Sequence, residues 1–142
     1  MKVRVGLGVG ARSGVDAQAR YRQLVDELER LRIDTLRVSE RIRAPGPAPL
    51  VAMSVAAART ERLKFGAAVM VLPGRNPVVV AKQHASLDVL SGGRLLPAFG
   101  LGVADAAEHQ AFGVQRADRA SIFDESLGLI RRLWTEDDVT HH

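Results

Sequence analysis

Three glycines near the N-terminus have the type and spacing that could hold a phosphate. The chain reads Gly6-Leu7-Gly8-Val9-Gly10 there. Because glycine has no Cβ, backbone amides at such positions can come close to an anion. The pattern approaches the fingerprint of dinucleotide-binding folds, with Ala11 in place of the third glycine and Asp34 farther along. The alternative is that these glycines end strands and line the mouth of a barrel.

Groups that could bind a metal or act as nucleophiles are scarce. The sequence has four histidines and no cysteine, so thiolate chemistry and disulfides are excluded. No pair of histidines has ligand spacing beside a carboxylate, and we predict no metal site. His84 is expected on the surface of a helix or in an interface. Glu40, at the end of a predicted strand, is the best candidate for a functional carboxylate; the alternative is a strand-end charge paired with Arg41 or Arg43.

Alternating strands and helices must position these residues. Short apolar stretches predict strands, and stretches with apolar residues on one helical face predict helices. The predicted strands cover residues 3–9, 35–39, 63–72 and 94–102. The predicted helices end near residues 32, 62, 90 and 134; they start at the caps Asp16 and Asn76, at Leu50 and at Asp118.

The order of a strand followed by a helix, repeated four times, predicts an α/β fold with parallel strands and right-handed crossovers. The continuous apolar stretch from Phe65 to Leu72 is typical of a parallel strand covered on both faces. Two architectures fit the pattern: a small doubly wound sheet, or half of a (β/α)8 barrel, which in full takes about 250 residues. Periodicity alone does not separate them.

Composition limits the class of protein. The 142 residues are 46% hydrophobic and 25% charged, with a formal net charge of +4, which is ordinary for a globular domain. The arginines are scattered along predicted helices without interleaved aromatic residues, so we expect no nucleic-acid partner. No apolar stretch reaches the ~18 residues of a membrane-spanning helix, and the N-terminus starts a strand rather than a signal peptide. We expect a cytoplasmic protein with a single domain over residues 1–142.

Several blocks of sequence occur in an order and spacing that is specific when they are taken together. They are Arg59–Gly66, Val71–Pro77, Leu87–Leu95 and Leu133–Asp137. In this arrangement they resemble the luciferase-like family of flavin- and deazaflavin-dependent oxidoreductases. The stretches Leu96–Gly102 and Glu108–Val114 are similar to actinobacterial members presumed to use the deazaflavin coenzyme F420. The resemblance implies a TIM (β/α)8 barrel, of which this chain is expected to be the N-terminal (β/α)4 half, truncated at its C-terminus.

The resemblance also implies a cofactor site at the C-terminal ends of the strands. The matching positions are expected to contact F420, with FMN as the alternative: Gly8, Ser39, Glu40, Ala67, Ala68, Val69, Gly100, Leu101 and Gly102. The third strand in the family often contains a non-proline cis peptide, and the matching bond joins Ala68 to Val69. Arg41 stands where relatives often carry His, and Val103 where some deazaflavin enzymes place Glu. No catalytic residue is assigned.

The implied activity is that of an oxidoreductase or monooxygenase in which hydride passes to or from a (deaza)flavin and the substrate is an unidentified small molecule. A half barrel exposes the edges of its first and last strands, so we expect a homo-oligomer or pairing with another half barrel. The alternative function is a catalytically silent half barrel that acts only by self-association. A small doubly wound nucleotide-binding module, with Gly8 and Gly10 at a phosphate, is a third hypothesis.

Overall fold

Strands and helices alternate along the chain, as the periodicity predicts. The computed structural model describes residues 3–10 and 16–141. The strands are β1 (Gly6–Val9), β2 (Thr35–Val38), β3 (Lys64–Ala67), β4 (Met70–Val71) and β5 (Phe99–Gly100). The helices are α1 (Ala17–Arg30), α2 (Pro49–Arg59), α3 (Pro77–Leu90), α4 (Ala106–Phe112) and α5 (Arg119–Thr135). The Ala11 of the glycine pattern lies outside the described residues.

The first three strands form a parallel sheet in the order β1-β2-β3. Their register places Gly8 beside Arg37 and Arg37 beside Gly66. Because side chains of a strand alternate between the two faces, paired residues point the same way. Leu36, Val38 and Phe65 therefore face α1 and α2, where they are buried in the main core. The opposite face, which we call the inner face, is formed by Gly6, Gly8, Thr35, Arg37, Lys64 and Gly66.

The third predicted strand, residues 63–72, is not continuous, and this part of the prediction is wrong. It is divided into β3 and β4 at the Ala68–Val69 peptide bond, which is cis. The Ala68 amide donates to Val38 O on the side of β2, whereas the Met70 amide donates to Ala98 O on the side of β5. The strand thus changes its hydrogen-bonding partner at this bond.

The fourth predicted strand is also shorter than residues 94–102. Leu95 pairs with Phe65 as an isolated bridge, and β5 then pairs with β4. Leu96 donates its amide to Phe65 O, but its own carbonyl accepts from the Arg37 side chain, and the next backbone bond, from Met70 to Ala98 O, comes only after the cis Ala68–Val69 peptide. The ladder between the two pairings is interrupted at these residues.

The strands follow one another across the sheet in chain order. β1 pairs with β2, and β2 pairs with β3. The third predicted strand, which is divided into β3 and β4, pairs with the fourth, which contains Leu95 and β5, through the Phe65–Leu95 bridge and the β4–β5 pair. In a doubly wound sheet the order reverses next to the first strand. The prediction of a doubly wound module is therefore wrong, and the architecture is the (β/α)4 half of a TIM (β/α)8 barrel with parallel strands.

Helix starts agree only partly with the predicted caps. Asn76 caps α3 as predicted, since its side chain accepts from the amides of Val78 and Val79. Asp16 precedes α1 with a φ of 73° and makes no capping bond, so its predicted role is wrong. The second helix starts at Pro49, whose fixed φ suits the first helical position. Within the described residues, no helix is long and apolar enough to cross a membrane.

Arg94 fastens the N-terminal edge of the sheet to α2. Its buried guanidinium donates to the carbonyls of Ala57 (2.9 Å) and Leu63 (3.1 Å), to the Thr60 hydroxyl (2.7 Å) and to the carbonyl of Ser91 (2.6 Å). A cation is favourable near the carbonyls at the C-terminal end of a helix. The acceptors come from three segments, so this side chain joins the end of α2, the start of the third strand and the end of α3.

Gly66 is predicted to be indispensable for the packing of the inner face. A Cβ at this position would overlap Leu96 O and lie 2.6 Å from Arg37 Nη1. We expect Gly66→Ala to lower the free energy of unfolding by about 1–3 kcal/mol, because the backbone must shift. Gly128→Ala is the matched control: its Cβ meets open space on α5, and we expect a gain of about 0.5–1 kcal/mol. Urea unfolding followed by circular dichroism measures both; equal stabilities would contradict the prediction.

The single tyrosine reports on the packing of α1 against α2. Tyr21 donates its hydroxyl to Ala52 O at 2.9 Å, and burial raises its pKa to about 12. This contribution to stability is therefore present below pH ~10 and lost as the pH rises through about 12. We expect the absorbance at 295 nm to titrate near pH 12 in the folded protein and near ~10 in urea. Coincident titrations would show that this contact is absent in solution.

Candidate functional site

The C-terminal ends of the strands lie at one edge of the sheet and bring most of the predicted site residues together. Ser39 and Glu40 follow β2, Ala68 and Val69 follow β3, and Gly100 to Gly102 end or follow β5. Gly8 lies on the inner face in the neighbouring β1. Ala67 is the exception: it is buried and, by the alternation, faces the helices. It reaches the site only through its backbone.

Ala68 and Val69 form the centre of this edge. The peptide bond between them is cis, as the resemblance predicts. Both residues are exposed, Val69 to 39%, in contrast to the buried Met70 and Val71 that follow. A Cβ on Gly100 would lie 2.5 Å from Val69 Cγ2, so the side chain of Val69 rests directly against that glycine. Ala68 and Val69 therefore form an exposed apolar surface where the third predicted strand borders the fourth, and we call it the Ala68–Val69 step.

Glu40 is hydrogen-bonded to residues that follow Val69 in the chain. One carboxylate oxygen accepts from the Val71 amide at 2.6 Å, and the other pairs with Arg75 at 2.5 Å. The side chain is only 5% exposed, and burial raises its pKa above the ordinary value although Val71 and Arg75 favour the charged form. The alternative in which Glu40 pairs with Arg41 or Arg43 is wrong, since its partner is Arg75. Arg75 replaces it because the turn after β4 returns to the end of β2.

A second buried carboxylate, Glu108 on α4, holds the segment after Glu40. It accepts from the amides of Ile42 (3.1 Å) and Arg43 (3.2 Å), and Arg41 Nε lies 3.7 Å away. Its negative charge also opposes ionisation of Glu40. The two carboxylates therefore fix the loop after β2 to the turn after β4 and to α4.

The Gly100–Gly102 stretch runs out of β5 with little side-chain cover. Gly102 has a φ of 80°, a conformation that L side chains rarely adopt, and Val71 lies against it. Arg119, the first residue of α5, donates from Nη1 to the carbonyls of Leu101 and Val103, both at 3.2 Å. A guanidinium thus stands beside the segment in which glycines leave the backbone accessible.

The dinucleotide interpretation of the first glycines does not fit this arrangement. Asp34 lies before β2 and accepts from the Val5 amide at 2.8 Å, at the opposite edge of the sheet from Gly10. Gly8 and Gly10 have no atom within 4 Å of an added Cβ. They leave open space at the first strand, as expected for glycines that line a barrel mouth.

Histidines do not gather into a site. Among residues 3–10 and 16–141, no group of three or more His, Asp or Glu side chains could hold a metal ion. The expectation of a surface or interface position for His84 is wrong: it is 2% exposed, bonds Val80 O through Nδ1 and packs on Phe99. Burial lowers its pKa. His109 is also buried and its Nε2 contacts Val103 O at 2.9 Å.

A mostly apolar groove of about 910 Å³ also opens between α1 and α2. Its walls include Leu7, Val9 and Val38, which face the helices rather than the inner face. The groove meets the strand-end site at Gly8 and Ser39. The groove therefore lies mainly on the helix side of the sheet and reaches the strand-end site only at its border.

Sequence patterns found the small residues of the site but missed the charged ones that hold it. Arg75, Glu108 and Arg119 come from a turn and from two helices, each far along the chain from its partner. Arg75 and Glu108 each stand in a stretch that carries the resemblance, Val71–Pro77 and Glu108–Val114, whereas Arg119 stands in none. The arrangement offers an exposed surface of backbone and small apolar side chains, bordered by buried ion pairs, that suits a flat ligand with an anionic end.

Known proteins resemble this chain in both sequence and architecture. The chain is 35% identical over 135 residues to an F420-dependent glucose-6-phosphate dehydrogenase of Intrasporangium calvum, a match that covers 84% of the chain and 40% of that relative. A solved monooxygenase from Streptomyces bottropensis superposes with a TM-score of 0.90 and 26% identity, over 99% of this chain and 45% of its own length.

A second solved structure is the oxygenating constituent of 3,6-diketocamphane monooxygenase from Pseudomonas putida in complex with FMN. It has a TM-score of 0.89 and 22% identity, and the match covers all of this chain (100%) and 42% of that one. The chain thus spans less than half the length of these relatives. Since the luciferase-like monooxygenase family matches residues 2–142, the chain belongs to that family.

Proposed function

We propose that this chain supplies the N-terminal part of the cofactor site in a flavin-type oxidoreductase, with F420 as the cofactor and FMN as the alternative. The observation that carries the proposal is the exposed, side-chain-poor edge formed by Ala68, Val69 and Gly100–Gly102 at the ends of neighbouring parallel strands. Chemistry in (β/α)8 barrels takes place at this edge. Membership of the luciferase-like family supports the same assignment.

The planar ring is proposed to lie against the Ala68–Val69 step. Ala68, Val69 and Leu101 offer exposed apolar surface, and Gly8 leaves open space on the inner face. Such a ring needs close approach to the backbone, which small residues allow. When bound, a (deaza)flavin supplies hydride transfer at its C5 or N5 atom. The residues of this chain orient it and leave the substrate, an unidentified small molecule, to the open side.

The anionic side chain of the cofactor is proposed to follow Gly100–Gly102. Backbone amides are accessible there, and the Arg119 guanidinium lies beside them. A phosphate is favoured by amides and a nearby cation together. F420 is preferred over FMN because a relative at 35% identity is an F420-dependent enzyme.

Glu40 is proposed to position the site rather than to contact the reacting atoms. Both of its carboxylate oxygens are engaged, by the Val71 amide and by Arg75. These bonds hold the chain immediately after the Ala68–Val69 step. Glu40 is therefore proposed to affect cofactor binding by fixing the conformation of the Ala68–Val69 step.

We also propose that the chain self-associates, but not in a way that closes the barrel with a second copy. The inner face carries Arg37 and Lys64, and neither makes an ion pair among the described residues. A second copy would bring the same two cations into one interior, where unpaired charge is costly. This disfavours closure of the barrel by a second copy; the alternative of a silent half barrel that acts only by self-association is separated from the proposed enzyme by cofactor titration. We propose a single domain over residues 1–142, located in the cytoplasm, that forms a homo-oligomer through its helices.

Cofactor binding by this chain tests the proposal directly. Fluorescence titration with F420, and separately with FMN, is expected to give saturable binding, tighter for F420. Gly8→Leu is expected to weaken it at least tenfold, about 1.4 kcal/mol, because the side chain enters the open space of the inner face. Gly128→Leu is the matched control, since that glycine also has open space around it. Absence of saturable binding up to millimolar cofactor would refute a cofactor site in this chain.

The role of Glu40 is tested by two substitutions that differ in one respect. Glu40→Gln keeps an acceptor for the Val71 amide, whereas Glu40→Ala leaves that amide without a partner. We expect Gln to keep cofactor affinity within about threefold and Ala to weaken it by roughly tenfold or more, in line with ~1–3 kcal/mol for an unsatisfied buried group. Urea unfolding of both variants separates lost binding from lost folding. Equal losses of affinity for Gln and Ala would instead indicate that the charge itself contacts the cofactor.

A further inference from the structure

The groove between α1 and α2, which we call the α1–α2 groove, has the dimensions and the lining of a small-molecule site. Its volume is about 910 Å³. Its apolar side chains come from the sheet (Val9 and Val38), from α1 (Leu24) and from α2 (Val55). Sites for small molecules are concave, mainly apolar and about 300–1,000 Å³ in volume, with a small number of polar groups. The groove agrees with this description in size and in composition.

Part of the apolar lining is still in contact with water. Leu7 on β1 and Val51 on α2 line the groove, and they are 39% and 59% exposed. Covering such surface is favourable in proportion to the apolar area that is removed from water. The groove is open while the Tyr21 hydroxyl of α1 donates to Ala52 O of α2. An apolar ligand therefore gains this free energy with the two helices in their present positions.

The charged groups of the lining have one sign. Among the described residues that line the groove, Arg20 and Arg22 are charged and no carboxylate is present. Both arginines are exposed, and neither makes an ion pair within the described part of the chain. Asp26, one turn after Arg22, is held by two hydrogen bonds from Arg59. The groove thus combines apolar walls with two cations that can bind an anion.

We propose that the α1–α2 groove is a second ligand site, which takes a small amphipathic acid. The apolar chain of the acid lies between the two helices, and its carboxylate meets Arg20 and Arg22. A guanidinium binds a carboxylate through charge-assisted hydrogen bonds that are often bidentate, so an acid is preferred to an amine with the same chain. Because both arginines are exposed, the carboxylate keeps part of its water and avoids the cost of a buried charge.

This site is distinct from the one proposed for the cofactor. Ala68, Val69 and Gly100–Gly102, which are proposed to contact the cofactor, are absent from the described lining of the groove. The two sites meet only at Gly8 and Ser39. The proposal therefore goes beyond the cofactor function, and substitutions on the helix side test it separately.

Calorimetric titration of the chain with decanoate tests the site. We expect one decanoate to bind per chain with a dissociation constant on the order of 0.1 mM. Decyltrimethylammonium has the same chain and the opposite charge, and we expect it to bind at least tenfold more weakly.

Val51→Asp adds a carboxylate to the lining and is expected to weaken decanoate binding at least tenfold. Val79→Asp is the matched control and is expected to leave the affinity unchanged. Val51 and Val79 are each the third residue of a helix that begins with proline, and they are 59% and 49% exposed. An acidic residue is favourable in the first turn of a helix, so both variants are expected to fold, which circular dichroism checks.

The two arginines are tested together. A variant with both Arg20→Gln and Arg22→Gln is expected to bind decanoate at least fivefold more weakly and to lose most of the preference over decyltrimethylammonium. Arg131→Gln is the control, because Arg131 is an exposed arginine of α5 that is outside the described lining. Equal losses in the double variant and in the control would overturn the proposal, since the net charge of the protein would then explain the binding. Equal affinities of Val51→Asp and Val79→Asp, or no saturable binding up to millimolar decanoate, would also overturn it.

Discussion

The parallel register of the strands is the constraint on which the remaining structure depends. Residues that pair across β1, β2 and β3 point to the same face, so one choice of register decides which side chains meet the helices. Leu36, Val38 and Phe65 go to the core, and burial of such side chains is the main favourable term in folding. A shift by one residue would exchange them with Arg37 and Gly66 and leave the helices facing a cation and a glycine.

The strand ends at the site edge carry mainly backbone and short side chains. The carboxylates that hold the neighbouring loops, Glu40 and Glu108, have buried side chains. Glu40 and Glu108 bind backbone amides of neighbouring segments, and charge-assisted bonds of this kind are among the stronger ones. The edge is thus shaped by buried carboxylates that fix the loops rather than by residues that project into the open space.

Local pattern was sufficient for the order of the elements and for Asn76, because a cap and a helical face are determined by residues close in sequence. Local pattern did not predict contacts between residues that are far apart in the sequence. The apolar stretch from Phe65 to Leu72 contains no sign that the chain leaves β2 for β5 at Ala68–Val69, since both partners require apolar residues. Arg75 was missed as the partner of Glu40 because 35 residues separate them, and His84 was misplaced because α3 is apolar on both sides.

The cation at position 37 limits what can close over the inner face. Arg37 donates to Leu96 O across Gly66, where an added Cβ would lie 2.6 Å from its Nη1. It makes no ion pair among the described residues. Since a buried charge without a counter-charge is unfavourable, a group that covers this face has to leave the guanidinium in contact with water or bring it further acceptors.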